Sequence, residues 1–189
     1  MSARKVLIVM GSPRKNGNST ALAHEVARGA RAAGAEVEAF YLNDMEIKPC
    51  VACDACLETG EKDCIIDDDM KDLYPRLRQL DALVIASPIY WFCFSAQTKL
   101  FIDRLYSLIG LGVSHSLTGR KIGIVLSYGG AGLSDSGAGN AINILQDMFS
   151  YLGAPVVGIV HGSAYAAGEI KSNRKVMAEA YELGEKLAA

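Results

Sequence analysis

Residues 6–10 read Val-Leu-Ile-Val-Met, apolar at every position, and the run ends at Gly11. A strand with one wet face alternates polar and apolar residues. A strand that is apolar throughout is buried on both faces, which requires a sheet covered by helices on each side. Residues 82–87 and 121–127 repeat the pattern, residues 155–160 form a shorter version, and residues 36–42 form a fifth strand. Between them lie helical periodicities. The first runs from Asn18 or Ser19 through Leu22, Val26, Ala30 and Ala33 and is ended by Gly34. Others cover residues 70–80, 95–108, 141–152 and 170–187, with Pro75 a potential kink or break in the second. Strands alternating with helices predict an α/β, doubly wound, five-stranded parallel sheet with helices on both faces and right-handed crossovers.

In such a sheet a ligand lies outside the carboxyl ends of the strands, at the switch in strand order. Three loops fall there: residues 11–19, 88–94 and 128–138. The first places Asn18, Ser19 and Thr20 at a helix N-cap, where free N–H groups and the helix dipole favour an anion. It has neither the Lys-Ser/Thr ending of a phosphate-binding P-loop nor three spaced glycines. Hydroxyls of Ser12, Ser19 and Thr20, with Arg14 for the charge, suit a monoester phosphate without magnesium. An ordinary capped helix is the alternative. The second loop, Pro88, Ile89, Tyr90, Trp91, Phe92 and Cys93, then Phe94, holds the only tryptophan and offers a flat apolar wall. Those rings could instead fill the sheet-to-helix space or a subunit interface. The third loop is glycine-rich (Gly129, Gly130, Gly132, Gly137, Gly139), which lets backbone approach a ligand closely, or makes a loose surface loop.

The 189-residue chain has room for one sizeable core, so a single domain over 1–189 is expected. A formal net charge of −2 argues against nucleic acid or an anionic membrane as the main partner. No apolar run is long enough for a membrane span, and the first twenty residues lack a signal-peptide pattern, so a cytoplasmic location is expected. Asp67, Asp68 and Asp69 are read as helix capping in preference to metal ligands, and Lys99, Asp103 and Arg104 as the polar side of the third periodicity.

The Gly-Ser-Pro-Arg-x-x-Gly-Asn-Ser-Thr loop, the Ser-Pro-Ile-Tyr-Trp-Phe loop followed by Ser-Ala-Gln-x-Lys-x-Phe-Ile-Asp-Arg, and the strand ending in Tyr128-Gly129-Gly130 resemble the NADPH-dependent FMN reductase group of the flavodoxin-like superfamily. The likeness runs from about Lys5 to His161. It implies a flavodoxin-like fold and FMN, with the phosphate on Ser12, Arg14, Asn18, Ser19 and Thr20. The ring would lie against Pro88 to Cys93, with Ser127, Tyr128, Gly129 and Gly130 completing its site.

Cys50, Cys53, Cys56 and Cys64 form C-x2-C-x2-C-x7-C, with Cys93 apart. In a reducing compartment such thiols are not disulfides. Tight x2 spacing lets three thiolates converge on one cluster, and a fourth closes it. The spacing resembles that of the iron-sulfur flavoproteins, which implies a [4Fe-4S] cluster beside FMN and a homodimer or homotetramer. Zinc, or no metal at all, are the other readings. The segment 44–67, an insertion in the domain, is too polar to pack by itself, so a cluster or a partner subunit is expected to order it.

Together these resemblances imply an FMN-dependent oxidoreductase. NAD(P)H as co-substrate, or reduced ferredoxin, would reduce the flavin, which passes electrons to a quinone, azo compound, nitroaromatic, free flavin or other small acceptor. A flavodoxin-like electron carrier without NAD(P)H oxidation is the alternative, and a non-catalytic flavin- or metal-binding protein a third reading. The scheme needs no side-chain acid or base, so no catalytic residue is named. His24, His115 and His161 read as isolated surface or packing residues. The loop 133–140 is a conjectural shaper of acceptor choice.

Overall fold

The computed structural model describes residues 3–57, 64–109 and 116–189. His115 lies outside the described residues. Five parallel strands, β1 (Lys5–Met10), β2 (Glu36–Tyr41), β3 (Ala82–Tyr90), β5 (Lys121–Tyr128) and β6 (Val156–Ser163), run in the order β2-β1-β3-β5-β6. A two-residue strand, β4 (Cys93–Phe94), pairs antiparallel with β3. The order reverses between β1 and β3, the flavodoxin-like switch point.

The unbroken apolar runs have the two-faced burial that their composition demands. In β1, Leu7 and Val9 face one core while Val6, Ile8 and Met10 face the other. In β3, Leu83 and Ile85 are divided in the same way from Ala82, Val84 and Ala86. Helices α1 (Asn18–Ala32) and α6 (Arg174–Ala188) cover one face. Helices α2 (Met70–Gln79), α3 (Ala96–Arg104) and α5 (Ala138–Tyr151) cover the other, and a single turn, α4 (Leu133–Ser136), precedes α5.

Several expectations are corrected. Pro88 does not end β3, which pairs with β5 as far as Pro88↔Ser127. Ala86 accepts from the Gly11 N–H on the β1 side. Pro88, two residues on, faces the same side after β1 has ended, so its missing N–H deprives no carbonyl. The segment 88–94 is therefore a β-hairpin, with Tyr90↔Cys93 closing its turn. Pro75 does not break α2, in which it lies on the exposed side. Gly17 is the N-cap of α1, one residue earlier than expected.

Candidate functional site: a cleft at the strand ends and a four-thiol cavity

The loop after β1 is tied around one carbonyl. Arg14 O accepts from Gly17 N at 2.9 Å, Thr20 Oγ1 at 3.1 Å and Ser12 Oγ at 3.3 Å, while Arg14 N donates back to Ser12 Oγ. The hydroxyls of Ser12 and Thr20 thus shape the turn. The first closed bond of α1 is Ala21 N to Gly17 O. Among the described residues, that leaves the N–H groups of Asn18, Ser19 and Thr20 without an acceptor at the helix end. Asn18 uses its own amide to hold the loop before α6, donating to Ala164 O and Ala166 O and accepting from Ile170 N. Arg14 is exposed at the rim. The turn therefore presents to an anion chiefly backbone N–H groups and one guanidinium.

A buried hydroxyl network joins this loop to the hairpin. Ser95 Oγ donates to Gly11 O at 2.7 Å and lies 2.9 Å from Thr98 Oγ1, which donates to Ser87 Oγ. Ser87 Oγ accepts from Ser95 N and donates to Pro88 O. Ser87, Ser95 and Thr98 are fully buried. They lock the ends of β1 and β3 to the start of α3, and the sequence signal that could have found them is Ser95 at a helix N-cap three residues before Thr98.

These elements enclose a cleft of about 320 Å³ at the carboxyl ends of the strands. Ser12, Arg14, Asn18 and Ser19 line it from the first loop, Pro88, Ile89 and Tyr90 from β3, and Ser127, Tyr128 and Gly129 from the end of β5. Gly17, Ala164, Tyr165 and Ala167 complete it, the last three from a loop that the sequence reading passed over. Thr20, Trp91, Phe92, Cys93 and Gly130 do not line it. Trp91 and Phe92 form the hairpin tip, 93% and 57% exposed, with φ of 48° and 67°. Gly137 lets that tip approach, since a Cβ there would lie 2.4 Å from Phe92 Cα.

His161 is not isolated, because its Nδ1 lies 3.0 Å from the Tyr128 hydroxyl and the two rings stack. Burial, then the Asp135 charge, raises the Tyr128 pKa. His24 likewise pairs with Tyr41 Oη at 3.0 Å, and burial lowers its pKa. A second groove, at the amino-terminal ends of β1 and β2, has both its arginines engaged: Arg76 pairs with Glu38 and Arg31 donates to Val37 O.

Cys50, Cys53, Cys56 and Cys64 line one cavity of about 370 Å³, with Val51, Ile66, Asp103 and Tyr106 among its walls. Ala52 and Asp54 adopt left-handed φ, and Ala52 N–H donates to Cys50 Sγ at 3.4 Å. Burial pushes the Cys56 thiol up, and charge on Cys64, Cys53 and Cys50 pushes the same way. Four thiols around one cavity suit a cationic centre, which binds them as thiolates. Among the described residues, no three ligating side chains converge tightly enough to hold a single ion.

The neck of this segment departs from expectation. Asp69 holds the N-cap position of α2 without a side-chain cap bond, while Asp68 accepts from Met70 N and its carboxylate also pairs with Arg104, buried rather than on the polar side of α3. Asp69 accepts from Glu46 N, tying the two legs of the segment together.

The family described as NADPH-dependent FMN reductase matches residues 4–168. An iron-sulfur flavoprotein of Archaeoglobus fulgidus is 32% identical over 184 residues, covering 97% of this chain and 79% of that one. An iron-sulfur flavoprotein of Methanocaldococcus jannaschii is 30% identical over 193 residues, covering 97% and 95%. Among solved structures, NAD(P)H:quinone oxidoreductase from Methanothermobacter marburgensis superposes with a TM-score of 0.77 at 19% identity, covering 100% of this chain and 98% of that one.

Proposed function

Because this chain belongs to the NADPH-dependent FMN reductase family and is a flavin-dependent oxidoreductase, we propose that it passes electrons from NAD(P)H or a reduced ferredoxin, through FMN in the cleft, to a small acceptor such as a quinone. The observation that carries this reading is the convergence in one cleft of Arg14, of Asn18 and Ser19 at the open end of α1, and of the walls from β3 and β5. In it, the α1 end and Arg14 bind a phosphate monoester dianion. The backbone of residues 88–90 and 127–129 bounds a planar ring. Tyr128, bonded to His161, forms part of the same wall. FMN, when bound, supplies the hydride and single-electron chemistry.

We infer further that Cys50, Cys53, Cys56 and Cys64 hold a [4Fe-4S] cluster. A cubane takes one thiolate at each of four corners, and thiols spread around one cavity fit it better than they fit a single zinc ion, whose sulfurs converge at about 2.3 Å. The relatives' names lend support. Exposed Tyr106, Ile144 and Tyr151 around an apolar groove of about 310 Å³ favour self-association as a dimer or tetramer. Segment 44–67 is then an insertion in one FMN-binding domain.

The test is an absorption spectrum of anaerobically purified protein with iron and acid-labile sulfide analysis, followed by NAD(P)H oxidation with a quinone. Flavin bands, about four irons per chain and turnover are expected. Absence of flavin overturns the cleft reading, and flavin without iron overturns the cluster reading alone. Light scattering that gives a monomer mass counts against self-association.

A further inference from the structure

Resting on the reading of the four cysteines as metal thiolates, we propose that Arg104 is the positioning residue of that site: its buried guanidinium clamps the two legs of the cysteine segment and so sets where the four sulfurs hang. One leg leads into Cys50 and the other leaves Cys64. Arg104 Nη1 donates to Lys48 O on the first leg at 2.9 Å, and its two terminal nitrogens take both oxygens of Asp68 on the second, Nη2 at 3.2 Å. The same Asp68 carboxylate accepts from Lys48 N at 2.9 Å and Met70 N at 3.1 Å. One ion pair thus binds both backbones, and its side chains are 1% and 0% exposed.

The clamp is anchored from beneath and faces the thiols. Tyr74 Oη donates to Arg104 O at 3.1 Å, fixing the end of α3 against α2. Asp103 and Tyr106, on the same turn of chain, line the thiol cavity. Arg104 Nε has no hydrogen-bond acceptor among the described residues. A buried ion pair with a donor left over is a poor device for stability alone, since well-packed apolar residues often do as well. Its planar fork is, however, suited to fixing two chain segments at a set separation, which a lysine cannot do.

The test compares wild type, Arg104→Lys, and Arg104→Met combined with Asp68→Leu, each reconstituted anaerobically with iron and sulfide. The paired apolar variant avoids an uncompensated buried charge, and bound flavin with native-like unfolding shows that each chain folds. In metal-free protein, Arg104→Lys is expected to speed amide exchange at Lys48 and Met70 by roughly tenfold, the factor one charge-assisted hydrogen bond commands, while Val84 in β3 keeps its protection. Both variants should lose iron to a chelator at least about tenfold faster than wild type. Unchanged exchange at Lys48 and Met70 overturns the clamp. Faster exchange with unchanged iron loss, in Arg104→Lys or in the paired variant, overturns its link to the thiols. A wild-type chain that takes up no iron instead overturns the cluster reading, and the exchange data on that sample still decide the clamp.

Discussion

Gly11→Ala probes the joint between the two main walls of the cleft. Gly11 has no left-handed φ, so space and not conformation demands glycine there. A Cβ built on it would lie 1.8 Å from Thr98 Oγ1 and 2.8 Å from Ser95 Oγ. Thr98 Oγ1 in turn bonds Ser87 Oγ at 3.0 Å and Ser95 Oγ at 2.9 Å, all within fully buried side chains. Ser87 Oγ and Ser95 Oγ keep their bonds to Pro88 O and Gly11 O, so the displaced Thr98 hydroxyl is the group left short of a buried partner, at about 1–3 kcal/mol. Overpacking adds about 1–3 kcal/mol. The loss is then at least about 2 kcal/mol, a fall in Tm of roughly 4–8 °C for a chain of this size. Thermal unfolding of a double-mutant cycle checks the cause. Thr98→Ala removes the obstructing oxygen, so the double variant should be only slightly less stable than Thr98→Ala, a coupling of about 2 kcal/mol. Additive losses, or an unchanged Tm in Gly11→Ala, would refute the packing argument.

Arg14→Ala should weaken FMN binding to apoprotein about tenfold or more, read by flavin fluorescence quenching, because one charge-assisted contact to the phosphate is lost. Unchanged affinity would place the phosphate elsewhere. Replacing Trp91 with Asn and Phe92 with Gly should raise stability by about 1 kcal/mol or more in denaturant unfolding, since both positions hold left-handed φ that Asn-Gly accepts readily. A loss of stability would mean that the exposed rings are packing against something. Asp135 accepts from Ala131 N and Gly132 N, and Glu169 from Tyr165 N and Ala166 N, bonds that hold both carboxyls below their ordinary values of 3.8 and 4.5. A lowered folded pKa stabilises above the unfolded value and ceases to do so as pH falls through the folded one. The amides of Ala131 and Gly132, and those of Tyr165 and Ala166, should therefore titrate in NMR with midpoints below the ordinary aspartate and glutamate values; midpoints at or above 3.8 and 4.5 would contradict these bonds.

The fold was legible because burial on two faces leaves a compositional mark. Five consecutive apolar residues have no soluble home except a doubly covered strand, and β1, β3 and β5 behave accordingly. The misreadings arose where local rules met tertiary geometry. Pro88 looked like a terminator because a proline usually removes a ladder bond. Here the neighbouring strand has already ended on its side, a fact of register between strands far apart in sequence. Arg104 looked exposed because its neighbours Lys99 and Asp103 are polar. Its partner Asp68 is 36 residues away, and nothing local distinguishes a clamped arginine from a solvated one.

The candidate cleft shows a different limit. Residue types placed the loop correctly at the switch point, but not which atoms face the opening. Ser12, Thr20 and Asn18 read as phosphate donors by their side chains, and each side chain is bonded to chain carbonyls or amides. Their bonding shapes the turn so that successive N–H groups at the start of α1 have no acceptor among the described residues. A rigid backbone end suits a phosphate that must be held while electrons come and go, because fixed N–H dipoles need no reorganisation and do not titrate. Sequence reports composition at a site, whereas the division between groups that build the turn and groups that meet the ligand is decided by long-range contacts such as Asn18 with residues 164–170.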